Sequence, residues 1–278
     1  MRSSGLRRLL HYVDEAVFPS SLYCMCCGSM IDESRSYSLC DDCIRKFHWI
    51  TGPTCDLCGK ALPERTETSD ALCRPRLCYD CLQSMPAYSK GFSCVTYGLH
   101  ERELMMDLKY AGRGYIARHC GDMMFDRIEM EISEGIFSSG QHPIDIIVPV
   151  PISPERYSER GYNQSALMAS RLAARWRQFV RMGPALKAPV VYEELLYRAK
   201  ATRKLRGLNP AERELELKGA FKVKPAYRKK LHGKVALLID DIQTTRSTAN
   251  ACSRALLEGG ASEVFFLAWA SGGNRRPG

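Results

Sequence analysis

No apolar stretch in these 278 residues is long enough to cross a bilayer. The longest unbroken one, Val264-Phe-Phe-Leu-Ala-Trp-Ala270, is far short of the ~18 residues that a spanning helix needs. The opening residues, Met1 to Leu10, hold no extended apolar core, so no secretory leader is expected and the cytoplasm is the expected compartment. There is no G-x-x-x-x-G-K-[ST] phosphate loop, and the six histidines are scattered with no H-E-x-x-H and no triad-like set. Gly112-Arg-Gly114-Tyr-Ile-Ala117 has the spacing of a dinucleotide fingerprint, but it follows Leu104–Lys109, which reads as helix where that fingerprint needs a strand. At 45% apolar and 26% charged, the chain is not disordered, collagenous or a coiled coil. Its length suits about two domains at ~100–200 residues each.

What the chain does have is positive charge, concentrated in one place. The net charge is +9. Residues 1–100 sum to zero, 101–170 to −4, 171–232 to +12 and 233–278 to +1. A basic block of this kind steers an anionic partner such as nucleic acid, a polyphosphate or an acidic membrane surface, or else forms a solvated face that keeps the chain soluble.

Cysteine is abundant. Of 13, most lie between Cys24 and Cys94, and four C-x-x-C pairs stand out: Cys24/Cys27, Cys40/Cys43, Cys55/Cys58 and Cys78/Cys81. A reducing compartment disfavours disulfides, so metal binding is the leading explanation. The first and third pairs are each followed by glycine, Gly28 and Gly59, as a knuckle turn with positive φ requires. The second and fourth open short helix-like apolar patterns. Four thiolates make a closed tetrahedral zinc site, structural rather than catalytic, so eight make two. The pairs can combine sequentially (24/27 with 40/43, 55/58 with 78/81) or crossed (24/27 with 55/58, 40/43 with 78/81). Sequential pairing is preferred because each knuckle is followed by its own helix-like pair. Cys26 and Cys73 are alternative ligands, while Cys94, Cys120 and Cys252 read as buried small apolar residues. So small and polar a module draws much of its folding energy from metal. Glu64–Asp70 reads as an exposed loop within it.

From about residue 90 the texture becomes that of an α/β domain. Ile144–Pro151 reads as a strand, Ser165–Trp176 as a helix, and Lys234–Ile239 as a strand buried on both faces, as in a parallel sheet. A polar loop from Asp240 to Thr248, a helix ended by Gly259-Gly260 and a strand over Val264–Trp269 complete a β-α-β unit. Ligands of such sheets bind at the carboxyl ends of the strands. There, two acids are followed by hydroxyls crowded onto a helix start, where free N–H groups and the helix dipole favour phosphate. The pattern suits a ribose 5-phosphate, with the phosphate on the loop and the sugar on the acids.

The segment Leu238-Ile-Asp-Asp-Ile-Gln-Thr-Thr-Arg-Ser-Thr248 resembles the phosphoribosyl pyrophosphate (PRPP) motif of type I phosphoribosyltransferases. With Leu108–Gly112, Val148–Ile152 and Arg156, Arg160-Gly-Tyr-Asn-Gln164, Gly207-Leu208 with Arg213, and Gly219-Ala-Phe221, the chain over about residues 22–272 resembles the ComF competence-protein family. The resemblance implies a type I phosphoribosyltransferase-like parallel sheet domain (92–278) preceded by a small double zinc ribbon (21–88) and an N-terminal helix (1–20). It implies that Asp240 and Asp241 meet the ribose hydroxyls and Mg²⁺, as the catalytic pair if the chain is an enzyme. Thr244, Thr245, Ser247 and Thr248 would hold the 5-phosphate, with Arg246 at its rim. Val150 and Pro151 would face the pyrophosphate, Arg160 and Lys109 would be its cationic contacts, and a loop around Arg198–Arg213 would close over the ligand. Three positions depart from the family pattern: Arg246 stands for glycine, Leu205 for glutamine and Glu216 for asparagine. They weigh on catalysis rather than on fold. The implied function is binding of PRPP, and of single-stranded DNA by the basic segment, in DNA uptake and natural transformation, with a competence-machinery protein as a further partner. The alternative is an active PRPP-dependent transferase of nucleotide metabolism.

Overall fold

The computed structural model describes residues 22–64, 75–135, 144–182, 187–200 and 210–273. The expected N-terminal helix (1–20), Cys73, nearly all of the expected Glu64–Asp70 loop, and Leu205 with the centre of the expected closing loop lie outside the described residues. The chain forms two compact units that meet in sequence at Phe47 and His48.

The first unit carries one cysteine tetrad. Cys24 and Cys27 flank a tight turn closed by Gly28 N–H donating to Cys24 C=O (2.9 Å), with Gly28 at φ 72°. Cys40 caps the short helix α1 (Asp41–Lys46), which carries Cys43 on its inner face, acids in its first turn and bases in its last, as the helix dipole favours.

The second unit begins with a second ribbon of the same design. Gly59 N–H closes the turn on Cys55 C=O, and Cys78 caps helix α2 (Tyr79–Gln83), which carries Cys81. The chain then enters β1 (Lys90–Thr96), α3 (Leu99–Tyr110), α4 (Ile116–Ser133), β2 (Ile146–Pro149), α5 (Pro154–Arg160) and α6 (Gln164–Met182). There follow β3 (Val190–Val191), β4 (Leu196–Arg198), α7 (Pro210–Leu217), β5 (Phe221–Val223), α8 (Arg228–Leu231), β6 (Val235–Gln243), α9 (Ser247–Glu258) and β7 (Glu263–Ser271).

Five of the strands form one parallel sheet in the order β1-β7-β6-β2-β3, while β4 and β5 make a separate antiparallel pair. This is an α/β fold compatible with the expected phosphoribosyltransferase type. The central strands β6 and β7 are buried along nearly their whole length because helices cover both faces. On one face α4 and α6 pack together and are laced by Arg171 donating to both carboxylate oxygens of Asp122 (2.7 and 3.1 Å). On the other lies α9 with the β4–β5 pair.

The second ribbon belongs to that face. Cys55, Cys58, Cys78 and Cys81 share one apolar cluster with Leu238, Phe266, Ala249, Cys252 and Leu256 of the sheet and α9, and Leu57, Leu62 and Leu77 pack against it. Cys94, Cys120 and Cys252 are buried, as expected.

One boundary differs from the sequence expectation. The strand expected to stop at Ile239 runs on to Gln243, pairing Ile242 with Ala270 and Gln243 with Ser271 of β7. Asp240 and Asp241 are therefore strand residues, and the loop is only Thr244–Arg246. The helix expected within Ser165–Trp176 extends to Gln164–Met182.

Candidate functional site

The two acids stand at the carboxyl end of the central strand β6, and both are nearly inaccessible to solvent. Burial of two adjacent carboxylates without partners would be prohibitive, so the neighbours matter. Asp240 Oδ1 accepts from the backbone N–H of Asp241 (2.9 Å) and from Ser165 Oγ (3.3 Å). Asp241 accepts from the N–H of Ile242 (2.9 Å) and from Gln164 Nε2 (3.3 Å), and it forms an ion pair with Lys109 Nζ. The pair therefore splits. Burial and then the charge of Asp241 push Asp240 well above the usual carboxylate range. Burial also works to raise Asp241, but Lys109 and the hydrogen bonds outweigh it and hold that carboxyl low. The two carboxyls are thus shifted in opposite directions, Asp240 towards its neutral form and Asp241, beside Lys109, towards its ionised form.

A cavity of about 270 Å³ opens beside Asp240. Asp240, Thr244, Thr245, Arg246, Ser247, Thr248 and Arg213 all line it. Thr245 Oγ1 and Ser247 Oγ are 3.0 Å apart, and Arg213 donates to Thr245 Oγ1 (3.4 Å). Hydroxyls, a guanidinium and the start of a twelve-residue helix thus surround one space, the combination that accepts phosphate.

The other expected residues gather around the same strand ends. Val150 continues from β2, its N–H donating to Ile239 C=O (2.9 Å) while its own C=O accepts from Asn163 Nδ2 (3.0 Å). Pro151 follows, partly exposed. Arg160 donates to Gln164 Oε1 (2.9 Å) and lies over the Tyr110 ring, 5.1 Å from its centroid. Arg160, Gln164, Asp241 and Lys109 therefore form one hydrogen-bonded chain. Sequence reasoning gave no role to Gln164 or Ser165, although both adjoin or belong to the Arg160–Gln164 run that it had singled out. It also gave none to Tyr88, whose hydroxyl accepts from Gln243 Nε2 (3.1 Å) at the strand end.

Arg246 takes a place of its own. Its backbone is left-handed (φ 64°, ψ −3°), it precedes α9, and its side chain is buried. The guanidinium is directed to the second ribbon: Nη1 donates to Cys81 Sγ (3.3 Å) and Ser84 C=O (3.1 Å), and Nη2 to Asp80 C=O (2.7 Å).

The cysteines resolve into the sequential tetrads Cys24/Cys27/Cys40/Cys43 and Cys55/Cys58/Cys78/Cys81, with all four Sγ atoms of each within 4.8 Å of one another. A zinc ion with ~2.3 Å bonds to four thiolates sets its sulfurs about 3.8 Å apart. Cys27 and Cys40 Sγ are 3.7 Å apart and Cys58 and Cys78 Sγ 3.5 Å, so both tetrads fit zinc as closed structural centres.

Residues 13–82 match the double zinc ribbon domain. The DNA utilization protein YhgH of Salmonella typhimurium is 27% identical over 231 residues, covering 81% of this chain and 92% of that protein. Competence protein F of Haemophilus influenzae is 25% identical over 241 residues (87% and 93%), and Competence protein ComFC of Bacillus subtilis 25% over 256 (86% and 90%). Among the described residues no helix is long and apolar enough to cross a membrane. With a double zinc ribbon leading into a parallel α/β sheet, and relatives that match along nearly their whole length, the chain is similar to the competence proteins of the ComF family.

Proposed function

We propose that this chain binds a phosphorylated ribose, with PRPP and Mg²⁺ as the preferred form, in the service of DNA uptake. The observation that carries the reading is the acid pair at the end of β6, Asp241 held by Lys109 and Asp240 lining a hydroxyl-rich cavity at a helix start. Thr244, Thr245, Ser247 and Thr248 suit the 5-phosphate, with Arg213 adding charge. Asp240 and Asp241 suit the ribose hydroxyls and would hold Mg²⁺, which neutralises pyrophosphate. The setting in DNA uptake rests on the names of the relatives, two of them competence proteins and one a DNA utilization protein. Single-stranded DNA is the proposed macromolecular partner, drawn by the basic segment 171–232.

Calorimetric titration of PRPP with Mg²⁺ tests the ligand. Binding is expected for the unaltered chain and its loss for D240N/D241N with zinc content unchanged; equal affinity in the variant would reject the site. Proton counting tests the acids. Asp240 is raised, so a proton on that carboxyl competes with a bound cation. Binding should release that proton and tighten as pH rises, until Asp240 is already ionised in the free protein. A binding heat that does not change between buffers of different ionisation enthalpy would contradict it. Pyrophosphate release in the presence of a candidate base would favour the transferase reading, and binding without release the role of a binder.

A further inference from the structure

Arg246 occupies the position at which the resembled motif carries glycine, and the backbone there has the conformation glycine favours. A non-glycine residue in the left-handed region costs about 1–2 kcal/mol, so something must hold this one in place. The structure shows what does. Both terminal nitrogens of the guanidinium are spent on the second ribbon, one of them on a ligand sulfur, Cys81 Sγ. The same ribbon-to-sheet segment is tied to the phosphate-site elements twice more. Ala87 N–H donates to Asn250 Oδ1 of α9 (3.0 Å), and Tyr88 accepts from Gln243 at the end of β6.

We infer that Arg246 is a positioning residue that makes the phosphate loop and the second metal centre one mechanical unit, so that metal at Cys55/Cys58/Cys78/Cys81 sets the geometry of the loop and ligand on the loop stabilises the metal. The inference rests on the reading of Thr244–Thr248 as a phosphate loop. Its physical basis is charge. A dication held by four thiolates keeps a net negative charge, and a buried cation donating to one of the sulfurs both offsets that charge and is anchored by it. Partners of this kind beyond the ligands themselves contribute ~10–100-fold to metal affinity. Without metal, the anchor of Arg246 loses its fixed geometry and the strained turn loses its restraint. Thermodynamic linkage makes the effect reciprocal in affinity, so a ligand that needs the turn must tighten metal binding, and a gain in affinity of this kind is expected in the dissociation step.

The test uses the full chain carrying C27S/C40S, so that Co²⁺ loads the second tetrad alone. R246G is the informative variant, because glycine adopts φ 64° without strain and the fold should survive. R246G is expected to release cobalt to a chelator at least about tenfold faster and to shift the sulfur-to-cobalt charge-transfer band, since one thiolate loses its donor. A packing role alone would leave the band where it is. PRPP with Mg²⁺ is expected to slow release and move the band when Arg246 is present, and to do neither in R246G. Unchanged release and an unchanged band in R246G would overturn the inference, as would PRPP that binds by calorimetry yet leaves the release rate untouched. PRPP that fails to bind at all would strike the proposed function instead, and release from R246G would still decide whether Arg246 restrains the metal centre.

Discussion

The two cysteine tetrads share spacing, knuckle glycine and helix cap, yet they occupy different environments. In the first, Cys27 is exposed and Cys40 partly so; in the second, all four cysteines are at most 2% exposed. A Cβ on Gly28 would meet nothing within 4 Å, whereas one on Gly59 would lie 2.4 Å from the Gly91 carbonyl oxygen and 2.6 Å from Phe92 Cα. The first is a local staple at the surface of its unit. The second is part of the core of the larger unit, pressed against β1 and clustered with the sheet and α9. Identical ligand chemistry therefore says how a metal is held and nothing about what depends on it; that is decided by the apolar surface around the ligands.

Emptying each tetrad breaks the comparison most directly. C58S/C81S should abolish the cooperative thermal transition of the larger unit, because it leaves buried polar groups and a lost metal in a sheet-facing core. C24S/C27S should leave that transition nearly in place. Circular dichroism melts would show it, and equal losses from the two pairs would end the distinction. A smaller contrast is expected from the knuckles. G28A costs only the positive φ, about 1–2 kcal/mol, while G59A adds a clash with backbone that cannot swing aside. Urea midpoints should fall markedly further for G59A, and matching midpoints would mean that β1 does not hold the second ribbon closely. The smallest effect belongs to Y88F, which removes one acceptor from Gln243 and should cost about 1 kcal/mol. An unchanged urea midpoint would remove that tie between the ribbon segment and the strand end.

How far the chain could be read in advance follows from the range of each interaction. The cysteine pairs were legible because metal-ligand spacing is local, and β6 and β7 because strands buried on both faces are apolar runs. Asp240 and Asp241 read as loop residues, since adjacent acids are poor strand formers. They stay in the strand because β7 continues to pair beyond them, out to Gln243–Ser271. The acids and the hydroxyls after them were recognisable as a site; the proton asymmetry was not, because Lys109, Gln164 and Ser165 arrive from other elements. The engagement of Arg246 with Cys81, 165 residues away in the chain, had no local signature beyond the absence of glycine. Nor did the attachment of the second ribbon to the sheet, to which Leu57, Leu62 and Leu77, unremarkable in sequence, contribute.

The segment joining the ribbons has a consequence for solubility. His48–Ile50 lies antiparallel along β1, with Ile50 N–H donating to Cys94 C=O (3.0 Å) and Thr96 N–H to His48 C=O (2.8 Å). It thereby occupies part of the outer margin of the sheet, where a bare strand would recruit the strand of another molecule. At the opposite margin β3 is only two residues long, too short to template such growth. A few residues of connecting chain thus serve as a selvedge, keeping a flat hydrogen-bonding fabric from being sewn to its neighbours.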